Sequence, residues 1–414
     1  MPYIDRSAKE VLSKCRKVVD VLRKLGAVDK NTIVNESKLS WTTVNSYLEE
    51  LLSSEIIEHK DNQYYLNKDF CYEVGVSIGV TEVKLSVLNT AFQKSPQCIE
   101  IETIIKEHLL LRSEEVQDSD KYICVKTPTN FIDCCNLTNN IIEGVLKAIA
   151  QNYTLLSIGI SLPGLMDKDT HVMEFSPNLS WLVNINVYSL IRRDLLEEIN
   201  NNGALLGIYH DMDAVAVYEK ESLSSYNNLK LDKYSDVLCL FMSYGIGSTL
   251  IKNNSLKLFS SSEHGHIMTS ISPEKNASVC SCGHNCLENQ IRNNVFNSPD
   301  IQSFYKQTTP DMLESISDEK YSQLCQYIGF LFNHIINTMR VSMIILSGRI
   351  LNGIPQLKYD MDKIRIGNTI PALSKKCIII NGSSRLDIAA VGAAMISYYN
   401  ITSRQPSSDL IISW

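Results

Sequence analysis

One histidine and three cysteines crowd the middle of the chain, in the runs Glu263-His264-Gly265-His266 and Cys280-Ser281-Cys282-Gly283-His284-Asn285-Cys286-Leu287-Glu288. His266, Cys280, Cys282 and Cys286 make the ligand set of a closed, tetrahedral zinc site, Cys3His, which leaves no open position for a catalytic water. A fold built around such a set is pinned there, so the metal acts as a staple. Three nearby cysteines are also compatible with plain buried thiols, because a free cysteine behaves as a small hydrophobe. The company argues against that: Ser278, Ser281, Gly283, His284 and Asn285 make a polar loop. His284 is a spare ligand, ranked below His266. Two carboxylates, Glu263 and Glu288, adjoin the ligands, so the staple holds acidic groups against something polar and small.

At 414 residues the chain is long enough for two or three domains. A hydrophobic content of 44% with 21% charged residues is that of a globular protein, and a net charge of −7 leaves any nucleic-acid contact to a local patch. Twelve cysteines behind a start, Met1 to Arg6, that lacks an apolar signal segment point to a reducing cytoplasm without a disulfide framework. The most apolar stretch, 328 to 346, is broken by Asn333, His334, Asn337 and Arg340. Those residues are costly in a bilayer, so no membrane span is expected and the stretch reads as a core helix running into a buried strand.

The first seventy residues have their own pattern. Val11, Leu12, Cys15, Val18, Val19, Leu22 and Leu25 recur at helical spacing and Gly26 supplies a stop. A shorter helix is expected over Thr32 to Lys38, then a third from Trp41 with Ser40 as N-cap and Val44, Leu48, Leu51 and Leu52 on one face. Ile56 to His59 and Gln63 to Leu66 flank a turn at Lys60-Asp61-Asn62, a short hairpin. Three helices and a hairpin in this order resemble a winged helix-turn-helix, whose third helix enters the major groove of DNA. The residues that would meet base edges are Trp41, Thr42, Thr43, Asn45 and Ser46; Asn suits adenine and the Thr methyl suits thymine. Charge opposes strong binding by one copy. Residues 1 to 30 carry eight basic and four acidic groups and residues 31 to 70 carry three and seven, so the segment sums to zero. Phosphate neutralisation supplies most non-specific affinity, and dimerisation would double it. A protein-binding winged helix is the competing reading.

From Tyr72 the chain turns to strands separated by helical stretches, with strand-like runs at 74 to 88, 155 to 162, 237 to 242, 343 to 346 and 377 to 380, the pattern of an α/β domain with mixed sheets. In order along the chain stand Ser77-Ile78-Gly79-Val80-Thr81, Leu162-Pro163-Gly164, Ser176-Pro177-Asn178-Leu179, His210-Asp211-Met212-Asp213, Ser243-Tyr244-Gly245, Glu263-x-Gly-His266 with the cysteines, Ser347-Gly348-Arg349 and Val391-Gly392-Ala393. This series resembles the ROK family of sugar kinases and sugar-responsive regulators, built on the two-lobed, actin-like ATPase fold. The resemblance implies residues 1–70 as the winged helix, 71–205 plus about 385–404 as one lobe, and 206–384 as a second lobe carrying the zinc and an oligomerisation surface.

The resemblance also implies sugar ligands at Asn178, His210, Asp211, Glu263, His266 and Glu288, with His266 using one ring nitrogen for zinc and the other for the sugar. Family kinases place their general base at the position of Asp211. The departures bear on the phosphate side. Ser77 replaces an acidic residue, Val80 replaces a glycine, and Ser243-Tyr244-Gly245 replaces a Gly-Thr-Gly loop whose small residues let backbone amides approach phosphate. A tyrosine there is expected to fill part of the nucleotide space. Two further departures are His210 in place of an asparagine and Cys286 one position early, so the metal loop must tighten. The expectation is therefore a cytoplasmic regulator, a homodimer or homotetramer, that binds operator DNA and answers to a sugar effector, with Asp211 a vestigial base. A sugar kinase with an appended winged helix, or a sensing scaffold that does not touch DNA, are the alternatives.

A coupled assay with ATP and a panel of hexoses, pentoses and N-acetylated sugars should give no ADP above background. Turnover that disappears in Asp211→Asn would establish the kinase reading instead.

Overall fold

Strands Tyr72–Ile78 and Glu82–Asn89 form a hairpin that turns at Gly79, and Asp236–Met242 with Ile246–Lys252 repeat it later in the chain. In a computed structural model that describes residues 6–112, 114–117, 122–150, 153–201, 203–226, 233–269, 280–298, 304, 310–403 and 411–413, each hairpin lies within a six-stranded sheet. The first sheet runs Leu205–His210, Leu155–Leu162, Tyr72–Ile78, Glu82–Asn89, Ile123–Lys126, Val116–Gln117. The second runs Ile378–Asn381, Met343–Ser347, Asp236–Met242, Ile246–Lys252, Ser255–Lys257, Ile411–Ser413. In both, the first three strands pair in parallel and the remainder antiparallel. This duplicated order is the α/β pattern expected from the strand runs and fits the two-lobed, actin-like fold that the resemblance implies. Every residue of Leu155–Leu162 is buried, as a strand covered on both faces requires.

The described residues divide into two units. The first holds the described residues up to Tyr218, residues 224–226 and the closing helix from Ala389; the second holds the histidine–cysteine segment, the later strands and residues up to Ile388. Helix Asp211–Tyr226 contributes its first half to one unit and Glu219–Leu223 to the other. Residues 206–218, expected in the second lobe, thus group with the first. The reason is pairing: Leu205–His210 runs in parallel beside Leu155–Leu162, from Leu205 against Ser157 to His210 against Leu162.

Within the first unit, helices Arg6–Leu25, Lys30–Ser37 and Trp41–Ser53 and hairpin Ile57–Lys60/Gln63–Leu66 form the winged-helix module. Val44, Leu48 and Leu51 are buried, as are Leu12, Cys15, Val18, Val19 and Leu22 of the first helix, which packs against the third. Ser40 caps the third helix as expected, its Oγ accepting the Thr43 N–H at 3.1 Å, a cap worth about 1 kcal/mol. The second helix starts two residues before Thr32, because the Asp29 carboxylate accepts the Thr32 N–H at 2.8 Å.

In the second unit, Leu324, Ile328, Leu331, Phe332 and Ile335 of helix Asp318–Met339 pack with Leu238, Leu240, Ile344 and Leu346 of the sheet. This is the apolar stretch that ran from helix to strand in the sequence. Among the described residues no helix is long and apolar enough to cross a membrane.

Glu219 is 1% exposed, and both its oxygens accept the Ser383 N–H, at 2.9 and 3.0 Å. Burial still pushes its pKa up to about 7. A carboxyl whose folded value exceeds its unfolded one stabilises the fold while protonated and loses that contribution as pH rises through the folded value, here of the order of 3 kcal/mol. The melting midpoint should therefore fall more steeply in wild type than in Glu219→Gln between about pH 5 and about pH 8. Parallel pH profiles would contradict the assignment.

Candidate functional site

The metal cluster forms from two arms of the second unit. Met268 pairs with Cys286 as an isolated bridge and the Leu287 N–H donates to the Ile267 carbonyl at 2.9 Å, which brings His266 beside the cysteines. The donor atoms of His266, Cys280, Cys282 and Cys286 all lie within 4.8 Å of one another, and His266 Nδ1 is 3.7 Å from Cys280 Sγ. A tetrahedral zinc with Zn–S near ~2.3 Å has ligand–ligand edges of roughly 3.8 Å, so the set fits one ion. The Cys280 thiol is pushed well down, first by a hydrogen bond with Cys286 and then by His266, which favours the thiolate that binds metal. The early Cys286 is accommodated by a turn in which the Gly283 N–H donates to the Cys280 carbonyl at 2.8 Å, with Gly283 at φ +84. Ser278 lies outside the described residues. His284, the spare ligand, contributes only its carbonyl, which accepts from the Cys280 N–H at 3.2 Å.

His266 Nε2, its second nitrogen, points toward Glu263, 3.8 Å from Oε2. Glu288, two residues beyond Cys286, is 3% exposed. Its Oε2 accepts the Ile246 N–H at 3.0 Å, and a Cβ at Gly265 would stand 2.9 Å from the same oxygen, so only glycine allows the close seat. Oε1 is buried and has no hydrogen-bond partner. Burial raises the pKa of both Glu263 and Glu288, opposed by His266. A buried acceptor without a donor is costly, roughly 1–3 kcal/mol, and a polar ligand that donates to it recovers that cost.

Tyr244 departs from the expected placement in nucleotide space. It is a core residue, 7% exposed, its ring edge-on to Phe304 with centroids 5.2 Å apart. Its hydroxyl accepts from Arg292 Nη1 at 2.5 Å, and the Arg292 guanidinium lies 4.7 Å from the ring centroid. Arg292 follows Glu288 by four residues and opposes the rise in its pKa. The turn at Tyr244 thus braces the segment that carries the buried carboxylate. Arg292 escaped the sequence reading because no motif marks it. His264 escaped as well: it is buried, hydrogen-bonded through Nδ1 to Ser248 Oγ at 2.5 Å, and burial pushes its pKa down to about 4.

The other expected ligands stand in the first unit. His210 ends a strand and Asp211 starts the helix that follows. His210 Nδ1 accepts the Met212 N–H at 3.1 Å and lies 3.4 Å from Asp211 Oδ1. That nitrogen is therefore unprotonated, and the ring proton sits on Nε2, which is buried and unpartnered. Burial holds the ring neutral, with its pKa down to about 4. Where an asparagine would offer both a donor and an acceptor, this ring offers one donor. Asn178 sits half-buried in a bend near Ser176, whose Oγ donates to the Pro163 carbonyl at 2.9 Å.

On the winged-helix module, Trp41, Thr42, Asn45 and Ser46 are exposed, and Thr43 is half-buried against the Ser40 cap. Asn45 is already engaged: its amide donates to Glu49 at 2.7 Å and its oxygen accepts from Lys30, whose ammonium lies 4.2 Å from the Trp41 ring centroid. Lys14 pairs with Glu50 at 2.5 Å. Glu49 and Glu50, two of the module's acidic groups, thus have partners within it.

Residues 73–398 match the family described as ROK family, and residues 13–69 match the winged helix-turn-helix. A xylose repressor of Bacillus spizizenii is 25% identical over 392 residues, covering 85% of this chain and 92% of its own length. A xylose repressor of Caldicellulosiruptor bescii is 25% identical over 295 residues, 66% of this chain and 63% of the relative, so the chain spans less than two thirds of that relative's length. Among solved structures, a ROK family transcriptional regulator described as a homolog of the E. coli MLC protein matches with a TM-score of 0.64 at 15% identity, over 96% of this chain and 97% of that one. The glucokinase of Balamuthia mandrillaris in complex with glucose matches at 0.52 and 12% identity, over 79% of this chain and 93% of that one. Both structural likenesses speak to the fold.

Elemental analysis should find about one zinc per chain, and a chelator should lower the melting midpoint in wild type while leaving Cys282→Ser nearly unmoved. Zinc-free protein with an unshifted midpoint would remove the staple.

Proposed function

Since this chain belongs to the ROK family, we propose that it is a sugar-responsive transcriptional repressor whose effector is a pentose such as D-xylose. The observation that carries the reading is the buried, unpartnered Oε1 of Glu288 near a histidine of the candidate metal cluster. A sugar hydroxyl is a small donor that suits such an acceptor, and Glu263 supplies a further one in the same unit. A zinc held through Nδ1 would orient His266 and leave Nε2 for the ligand. Within the first unit, considered by itself, the lone Nε2–H of His210 suits a sugar oxygen, with Asp211 beside it as an acceptor. When bound, zinc supplies no chemistry beyond holding this loop in one geometry. The names of the relatives, xylose repressors, support both the regulatory role and the pentose.

The regulator is favoured over the kinase because Tyr244 and Arg292 are committed to each other and to the core. The winged helix is taken to place Trp41, Thr42, Thr43, Asn45 and Ser46 at the operator as a homodimer, the second copy doubling the phosphate contacts of a module with no net charge. Repression is relieved when the sugar binds the two states of the protein unequally, a coupling typically of about 1–3 kcal/mol.

A gel shift on DNA upstream of the protein's own gene should show specific, salt-sensitive binding that D-xylose releases. Glu288→Gln turns the unpaired acceptor into a donor, so the D-xylose concentration for half-release should rise roughly tenfold or more. Release at unchanged concentration would show that Glu288 does not read the sugar. Absence of specific DNA binding at low salt would leave a scaffold.

A further inference from the structure

The last turn of the first helix carries an arginine in an unusual setting. Arg23 reaches from the winged-helix module into the sheet-bearing part of its unit. Its side chain is 6% exposed, and its guanidinium lies 3.9 Å from the Phe92 ring centroid and 4.3 Å from that of Tyr398 in the closing helix Ile388–Ile401. Nε donates to the Thr90 carbonyl at 2.9 Å and Nη1 to Asp20 at 2.7 Å. Nη2 has no partner. On strand Tyr72–Ile78, Glu73 stands in register with Leu88, two positions from Thr90, and is fully buried with neither carboxyl oxygen partnered. Phe92 holds a left-handed backbone, φ 57, fixed by Asn89, whose Oδ1 accepts the Ala91 and Gln93 N–H groups. An arginine and a carboxyl left unmatched in one buried socket, under a strained aromatic, describe an element with a second arrangement available: Arg23 can exchange Asp20 and Thr90 for Glu73.

The same closing helix reaches the candidate sugar residues. Tyr209 immediately precedes His210, and its hydroxyl takes hydrogen bonds from Ser397 at 3.1 Å and Asn400 at 3.3 Å, residues on either side of Tyr398. Further up, Gly392 lies so close to Ala214, in the helix begun by Asp211, that a Cβ would stand 1.8 Å from the Ala214 carbonyl oxygen. At the other end, Ser13 of the first helix donates to the Thr402 carbonyl at 3.0 Å. One short run, Ser397 to Thr402, therefore touches both the strand that ends in His210 and the first helix of the winged-helix module.

We propose that this run is the coupling element of the repressor, and that a change at His210 and Asp211 is transmitted through Tyr209 and Tyr398 to an exchange of Arg23 from Asp20 and Thr90 to Glu73, which reorients the winged helix. The inference rests on the proposed sugar-responsive function and adds the route by which that response reaches DNA. Both end states must differ in stability by little for a ligand to move the balance, and the unmatched groups leave the present arrangement less than fully satisfied.

The test is the ratio of operator dissociation constants with and without saturating D-xylose, measured on the full chain. Wild type should give a ratio in the range of about 5- to 150-fold. Glu73→Gln removes the charge of the alternative partner and should bind operator like wild type without sugar and still bind D-xylose, while its ratio falls below about twofold, a near-complete loss of coupling. Tyr209→Phe, which keeps the packing and cuts the link, should behave the same way and serves if Glu73→Gln does not fold. A wild-type ratio in either folded variant overturns the route alone. A wild type whose operator affinity ignores D-xylose and the other sugars overturns the functional reading and the route together.

Discussion

The seat of Glu288 is the constraint on which the second unit depends. A carboxylate at 3% exposure is tolerable because the Ile246 N–H holds one oxygen and glycine at 265 allows the approach. Three segments far apart in sequence must meet to make it: the turn at 243–246, the Glu263–His266 turn and the helix after Cys286. The cluster of His266, Cys280, Cys282 and Cys286 joins the second and third of these, and Tyr244 with Arg292 joins the first to the third. A histidine–cysteine cluster and an arginine–tyrosine pair thus flank a single acceptor oxygen that is buried and unpaired.

The same arrangement occupies the turn at 243–246. In a nucleotide-binding turn, small residues leave room for phosphate oxygens beside backbone amides. Here one of those amides, that of Ile246, is spent on Glu288, and the side chain at 244 has turned inward to Phe304. The amide and the side chain of this one turn are thus both engaged within the second unit.

Much of this was legible in the residues. The Ser40 cap, the helical spacing of Val44, Leu48 and Leu51, and the ligand spacing of the cysteines are local or short-range signals, and the structure follows them. The shortfall has physical causes. Asp29 competes with Thr32 for the helix start, and a cap outranks propensity at a terminus. The unit boundary moved past His210 because strand pairing partners are fifty residues away and leave no local mark. The inward turn of Tyr244 depends on Arg292, and the tautomer of His210 on one backbone N–H, neither of which a linear pattern encodes. The Arg23 socket joins residues from opposite ends of the chain; in sequence Arg23 is one more basic residue on a helix.

The central claim is that Glu288 Oε1 is kept unpaired for a sugar. A crystal structure of the zinc-loaded protein with D-xylose tests it most directly. The account predicts a sugar hydroxyl oxygen roughly 2.6–2.8 Å from Glu288 Oε1, with Oε2 still on the Ile246 amide. A sugar bound elsewhere, with Oε1 satisfied by a protein donor or by water alone, would contradict it.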